Sequence, residues 1–177
     1  MAALESHLAF FEGLSARRAD RLLGAAYLAD HPEHWEGLFL FSLNPKAKRI
    51  HVVLCWCVEL YIIPQPDLLQ ASFNHFLEQL PKIKNESMRR SLSKMLFYYA
   101  KKNSAKLTPQ HKEQIIALAF DWLIEPAQVA TQNFALKLLR LLQDEAAWVK
   151  EELKAIVQQQ MPTASPGYRA AAREIFK

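Results

Sequence analysis

The amino-acid sequence predicts an all-α protein, and three observations support this prediction. The chain has only four glycines in 177 residues and no Asn-Gly or Asp-Gly pair, whereas sheet proteins use such residues at hairpins and bulges. Its apolar residues recur at intervals of three and four positions, the period of an amphipathic helix. All nine prolines fall where these patterns start or stop, because a proline inside a helix lacks the amide hydrogen and clashes with the preceding turn.

The elements follow in order along the chain. The patterns predict helices at 2–12, 15–29, 32–43, 46–63, 66–80, 86–102, 108–124, 126–143, 145–160 and 166–177. Three starts rest on an N-cap side chain followed by proline at the first helical position: Asn44-Pro45, Thr108-Pro109 and Ser165-Pro166. The other prolines are expected at three starts (Pro32, Pro66, Pro126) and just past three ends (Pro64, Pro81, Pro162). The short connections predict antiparallel neighbours.

The length and the spacing of the glycines limit the class of protein. We expect one domain, 1–177, because the chain is long enough for a real core and short for two domains. The four glycines stand too far apart to form a GxGxxG turn, a phosphate-binding loop or a nucleophile elbow. This argues against a nucleotide-binding α/β enzyme, and no cofactor is expected.

The cysteines and the apolar stretches bear on the compartment. On a helix, Cys55 and Cys57 point in different directions and cannot bond, so we expect buried free thiols, which fit a reducing compartment. The first residues show no basic leader before an apolar core. The most apolar stretch, 50–63, is too short to cross a bilayer and contains Glu59. We therefore expect a cytoplasmic protein without membrane association.

The aromatic residues are expected mainly in the core. All four tryptophans fall on the apolar stripes at helical spacing, which predicts packing roles for Trp35, Trp56, Trp122 and Trp148. The run 97–99 contains one aromatic residue more than a single stripe can bury, and Tyr98 is the one expected to be exposed.

Every second helix repeats a similar run of residues. The runs begin at Lys46, Met88, Ala130 and Tyr168, at spacings of 42, 42 and 38 residues. A period near 40 composed of two antiparallel helices is typical of an α-solenoid. We therefore expect four helix pairs, at 32–64, 66–103, 108–143 and 145–177, and an N-terminal helical cap at 1–29 that covers the terminal apolar face.

The second helices of these pairs resemble the HEAT consensus, in which a polar turn residue precedes an apolar residue, an arginine and small core residues. The segment 85–90 matches best and 165–172 is similar, whereas 125–130 lacks the basic residue and 44–48 has lysine instead. The resemblance covers about 32–177. It implies a right-handed α-α superhelix, an armadillo-like solenoid whose second helices line a concave binding surface. A closed helical bundle is the alternative architecture.

One segment has a large excess of positive charge, while the rest of the chain has a small excess of negative charge. The basic segment, 82–106, holds eight basic residues against one acid, Glu86, while the whole chain has a formal net charge of +4. On a helix beginning near residue 86, Arg90 and Lys94 share a face and Lys101 lies two turns further on. Lys48 corresponds to Arg90 by the 42-residue offset. The candidate binding residues are Lys48, Arg90, Lys94, Lys101, Lys137 and Arg140.

Catalytic and metal-binding patterns are weak. His31 and His34 lie close together, but three or four ligands and the HExxH spacing of zinc sites are lacking, and the remaining histidines are scattered without a paired nucleophile. The helix pattern and the basic inner face also resemble the alkylpurine DNA glycosylases built of HEAT-like repeats, a family with a concave-face aspartate. Asp121 adjoins Trp122 on the first helix of its pair, and first helices are expected to face outward. Glu59 is the only acidic residue in the second helix of the first pair. No catalytic residue or metal ligand is therefore assigned.

These observations leave three functions open. The first is a non-catalytic repeat scaffold or adaptor that binds a macromolecule along its concave face. We expect its partner to be a protein, with nucleic acid as the alternative. The second is a nucleic-acid-binding or DNA-repair enzyme related to the glycosylases. The third is a structural oligomerisation module, and the sequence does not fix the oligomeric state.

Overall fold

A computed structural model describes residues 2–125 and 129–176 of the chain. Within these ranges all regular secondary structure is helical and no strand is present, which confirms the predicted all-α fold. The chain divides into two compact units, Met1–Tyr99 and Ala100–Lys177. None of the helices in the described ranges is both long enough and apolar enough to cross a membrane.

Within the described ranges the two units contain ten α-helices. They are α1 (Ala2–Glu12), α2 (Arg18–Asp30), α3 (Trp35–Ser42), α4 (Arg49–Ile62), α5 (Phe73–Gln79), α6 (Glu86–Lys102), α7 (Pro109–Ile124), α8 (Val129–Leu142), α9 (Ala147–Gln160) and α10 (Pro166–Ala172). Short 3₁₀ segments lie at Pro66–Gln70, Leu80–Lys82, Ser104–Lys106 and Arg173–Phe176.

Two of the three predicted N-caps are confirmed. The Thr108 hydroxyl accepts a hydrogen bond from the His111 amide at 3.1 Å, and Pro109 opens α7. The Ser165 hydroxyl likewise accepts from the Tyr168 amide at 3.2 Å at the start of α10. In both cases the side chain satisfies an amide that has no partner within the helix, so the local sequence suffices to place the start.

The third predicted cap, Asn44-Pro45, is wrong. The Asn44 side chain accepts a hydrogen bond from the Lys46 amide at 2.9 Å, which closes a local turn, and α4 begins only at Arg49. Such side-chain bonds to nearby amides compete with helix capping. Helices α4 and α6 therefore begin 37 residues apart, so these two starts do not follow the 42-residue register.

Other predicted boundaries shift as well. The predicted helix 66–80 is broken into a 3₁₀ segment and α5, and the break places buried Ser72 where its hydroxyl donates to the Glu36 carboxylate. Pro32 lies before α3, which begins at Trp35, and Pro81 lies inside a 3₁₀ segment. The expected start at Pro126 lies outside the described residues.

In the first unit, α4 contacts α1, α2 and α3. Helix α2 approaches α4 so closely at Gly24 that a Cβ atom there would lie 2.3 Å from the Cys57 sulfur. On another side of α4, the Cys55 thiol lies 3.9 Å from the Met88 carbonyl oxygen, and Glu59 bonds Ser91 further along α6. Because both contacts advance in the same direction, α4 and α6 run parallel in this region.

In the second unit, α8 packs on α7, α9 and α10. The Lys112 ammonium near the start of α7 lies 2.7 Å from the Glu145 carboxylate just before α9. The Gln160 side chain at the end of α9 donates to the Leu123 carbonyl, near the end of α7, at 3.0 Å. Helices α7 and α9 therefore run parallel, as alternate helices do when each helix is antiparallel to the next.

The core confirms most of the predicted burial. Trp122 and Trp35 are buried, Trp56 is half-buried and Tyr98 is exposed, as expected. The prediction for Trp148 is wrong, because 57% of this residue is exposed. Its side chain lies outside the stripe of Val149 and the other buried residues of α9.

Both cysteines are buried and free, which confirms the prediction. Burial raises the pKa of the Cys57 thiol to about 12 and also raises that of Cys55. Since the thiolate is the reactive species, we expect native protein at pH 8 to react with Ellman's reagent at least about 100-fold more slowly than protein in urea. Two thiols should be released on unfolding. Fast labelling of either cysteine in native protein would contradict the buried placement.

Candidate interaction surface

Glu59 is the centre of a buried polar cluster between α4 and α6. Glu59 is only 3% exposed, and its carboxylate accepts hydrogen bonds from the Ser91 hydroxyl at 2.5 Å and from the Lys94 ammonium at 2.9 Å. The Lys94 side chain is 31% exposed, so its stem is covered while the group still reaches the surface. The carboxylate charge is compensated within the fold, as a buried charge requires.

Arg89 is a second basic residue whose charge is used inside the first unit. It is 5% exposed, and its Nε donates to the Ile83 carbonyl at 2.8 Å. Its guanidinium also lies 3.1 Å from the Glu86 carboxylate. These bonds hold the segment before α6 against the first turns of that helix. Ile83, whose carbonyl accepts one of them, is itself buried.

Apart from Arg89 and Lys94, the basic residues that the basic segment contributes to the first unit are all exposed. We call Lys82, Lys84 and Arg90 the basic cluster. All three are exposed, and the bond from Arg89 to Ile83 brings the segment of Lys82 and Lys84 to the start of α6, where Arg90 lies. The cluster therefore presents positive charge to solvent.

The other sequence-predicted candidate of the first unit, Lys48, is exposed at the N-cap of α4. Arg90 is instead the fifth residue of α6. The two side chains therefore do not occupy equivalent positions in their helices. Of the three candidates in the first unit, Arg90 is exposed, Lys94 is bonded to Glu59, and Lys48 lies outside a helix.

The remaining candidates belong to the second unit. Lys101 is exposed in the last turn of α6. Lys137 is exposed on α8, with its ammonium 4.9 Å from the centre of the Phe134 ring, a cation–π contact. The Arg140 guanidinium lies 3.2 Å from the Glu174 carboxylate. The charge of Arg140 is thus partly compensated by an exposed ion pair, which contributes little to stability.

The structure brings together three histidines that the sequence only partly connects. The His7 ring lies 4.2 Å from the ring of His34 and 5.4 Å from that of His31, measured between centroids. His7 Nδ1 also lies 2.8 Å from the Tyr27 hydroxyl. Burial, with a smaller contribution from His34, lowers the pKa of His7. Among the residues described, no group of three or more His, Cys, Asp or Glu side chains is arranged to hold a metal ion.

The two acids considered for base-excision chemistry have different environments. Asp121 is exposed on α7, whereas the neighbouring Trp122 is buried with 1% exposure. Glu59 is enclosed and bonded to Ser91 and Lys94. These two bonds account for the burial of the Glu59 carboxylate, which is part of the packing between α4 and α6.

Sequence reasoning missed one exposed aromatic side chain. Trp148 stacks on Phe120 with ring centroids 5.6 Å apart, on the outer side of the second unit's core. The signal was present in the sequence. Trp148 lies one position before the buried stripe of α9, and the positions four and eleven further on are polar, Glu152 and Gln159.

Comparison of the chain with protein-family models, with curated proteins and with solved structures yields no match.

Proposed function

We propose that this protein is a non-catalytic helical scaffold that binds an acidic segment of a partner protein through a positively charged surface. In this proposal the helix pairs form a HEAT-like repeat, and the basic cluster of Lys82, Lys84 and Arg90 is the main contact in the first unit. Alternate helices run parallel in each unit, as a HEAT-like repeat requires and as an up-and-down bundle also shows. A closed bundle is the architecture that the proposal rejects.

One observation carries the proposal: the charges of the basic segment are separated by burial. Arg89 is only 5% exposed and the Lys94 side chain 31% exposed, whereas Lys82, Lys84 and Arg90 are all exposed. Exposed charges of one sign attract an oppositely charged partner and raise its association rate.

The size of the cluster favours protein over nucleic acid. Proteins whose DNA affinity depends steeply on salt make about 6 to 10 phosphate contacts. The basic cluster of the first unit supplies three exposed cations. Three cations suit a short acidic peptide segment better than the continuous charge of a duplex.

The proposal is tested with an acidic probe. A fluorescein-labelled peptide, Ac-DELDELDEL-NH2, is titrated with the full chain at 50 mM and 200 mM salt, and binding is followed by anisotropy. We expect binding that weakens severalfold at the higher salt, because exposed ion pairs are screened. Arg90→Glu should weaken binding about 3- to 10-fold, since one attractive pair becomes repulsive.

Arg18→Glu is the matched control. It makes the same change of charge at an exposed arginine of the first unit, in the first turn of a different helix, α2. An equal loss of binding in both variants would show a non-specific charge effect and would contradict the assigned surface. A duplex DNA of equal charge that binds more tightly than the peptide, with the same sensitivity to Arg90→Glu, would replace the protein partner with nucleic acid.

A further inference from the structure

A groove of about 460 Å³ lies within the second unit, between the first half of α7 and the beginning of α9. One side is a single face of α7, because the lining residues 109, 112, 113, 116 and 117 follow the helical spacing of three and four. The other side comes from residues 145, 146 and 148. One wall of the groove is therefore α7, and the other is the turn before α9 together with Trp148 in the first turn of that helix.

Trp148 supplies an apolar anchor in this groove. It is 57% exposed, yet its ring is held by the stack on Phe120, at 5.6 Å between centroids and with 27° between the planes. Phe120 is itself only 8% exposed, and Ile116 beside the groove is 5% exposed. A large aromatic ring that is fixed before binding loses little freedom on binding, which is why tryptophan is frequent among the residues that dominate interface energies.

The charges of the groove have a definite sign. Lys112 and Glu145 form an ion pair at 2.7 Å, so their charges compensate each other. Glu113 also lines the groove, is exposed and forms no ion pair with another described residue. The groove therefore has a net negative charge next to an exposed indole ring. Both the carboxylate and the face of an indole attract a cation.

From this arrangement we infer that the groove, called the Trp148 groove, binds a protein segment in which a lysine or arginine lies next to an apolar side chain. The apolar side chain packs against Trp148 and Ile116, and the cation pairs with Glu113. The inference goes beyond the proposed function, because it concerns another surface with the opposite charge preference. An adaptor with both surfaces contacts two partners of different chemistry.

The test uses the indole N–H signals of the full chain labelled with ¹⁵N-tryptophan. Four signals are expected, and Trp148→Phe identifies the one from Trp148. The probes are the peptide Ac-ALRALR-NH2 and its acidic counterpart Ac-ALEALE-NH2. We expect the basic peptide to move the Trp148 signal in a saturable way, with the signals of Trp35, Trp56 and Trp122 in place, and the acidic peptide to have little effect.

Glu113→Lys should weaken binding of the basic peptide at least fivefold. Its control is Asp121→Lys, a charge reversal at an exposed acid of α7 that does not line the groove. Both positions are exposed, and circular dichroism checks that the variants keep their helix content. No shift with the basic peptide, equal shifts with both peptides, or equal loss of binding in both variants would overturn the inference.

A second copy of this chain is the competing occupant. In that case the Trp148 signal would move with protein concentration in the absence of peptide, and sedimentation would show dimers that Trp148→Ala abolishes. This result would also overturn the inference. Failure of the Trp148 groove leaves the proposed function intact, because Arg90→Glu is measured with an acidic probe on the first unit.

Discussion

Replacing Lys94 with methionine is expected to lower the free energy of unfolding by about 2 kcal/mol, less than the roughly 3 to 5 kcal/mol found for fully buried pairs, because the Lys94 side chain is 31% exposed. The Glu59 carboxylate is 3% exposed and accepts bonds from Lys94 and Ser91. Methionine retains most of the covered stem of Lys94 but leaves the carboxylate without its cation. Urea unfolding followed by circular dichroism measures the loss.

Two further variants isolate the ion pair. Arg90→Met changes an exposed basic residue of the same helix and should alter stability by less than about 0.5 kcal/mol, as surface substitutions usually do. Adding Glu59→Leu to Lys94→Met removes the stranded carboxylate, and stability should recover in large part. Equal unfolding midpoints for Lys94→Met and the parent chain would show that the pair contributes nothing.

This expectation affects the choice of variants for binding studies. Lys94 lies on the same face of α6 as Arg90, and the sequence marks both as contact candidates. A charge reversal at Lys94 places a second carboxylate beside Glu59 and disturbs the packing between α4 and α6. Loss of a partner in that variant would report a damaged fold, so Arg90 is the informative position.

Gly24→Ala is expected to destabilise the protein by about 2 kcal/mol, the cost typical of overpacking a core. The added Cβ would lie 2.3 Å from the Cys57 sulfur and 2.9 Å from the Cys57 Cβ, so α2 and α4 must move apart. Alanine is otherwise the better helix former by about 1 kcal/mol. A loss of stability would therefore show that the close approach outweighs helix propensity. Thermal and urea unfolding measure it.

Gly37→Ala is the matched control within another helix of the same unit. A Cβ at Gly37 has no atom within 4 Å, so alanine there should be neutral or stabilising by up to about 1 kcal/mol. Combining Gly24→Ala with Cys57→Ala removes the sulfur from the clash and should restore part of the loss. If both glycine variants stabilise the protein, the close contact between α2 and α4 is not as described.

The sequence predicts local structure well where a short-range interaction decides it. Helix α6 spans Glu86–Lys102, as its apolar period predicts, and the caps at Thr108 and Ser165 lie where an acceptor side chain precedes proline. The cap predicted at Asn44 fails for an equally local reason, because its side chain bonds the Lys46 amide in a turn. An Asn, Ser or Thr side chain can either cap a helix or close a local turn, and the amide to which it bonds decides which of the two forms.

The candidate surface was less accessible to sequence reasoning. The clustering of basic residues in 82–106 is visible in the sequence, and Arg90 is exposed as a contact residue must be. Which basic residues are compensated is not visible there, since Lys94 pairs with Glu59, 35 residues away along the chain. The sequence predicts a core position for Trp148 because it falls on an apolar stripe, and the structure places it outside the core, against Phe120.

The sequence by itself determined that this chain is helical, where several helices start, and that its positive charge is concentrated in one segment. Helical period, capping and composition depend on residues within about four positions of one another, so they are encoded locally. Only the tertiary structure decided that Glu59 pairs with Lys94, that α2 packs closely against Cys57 at Gly24, and that Trp148 lines a groove. Each of these results from the side chain that a neighbouring helix presents, and burial makes that choice energetically decisive.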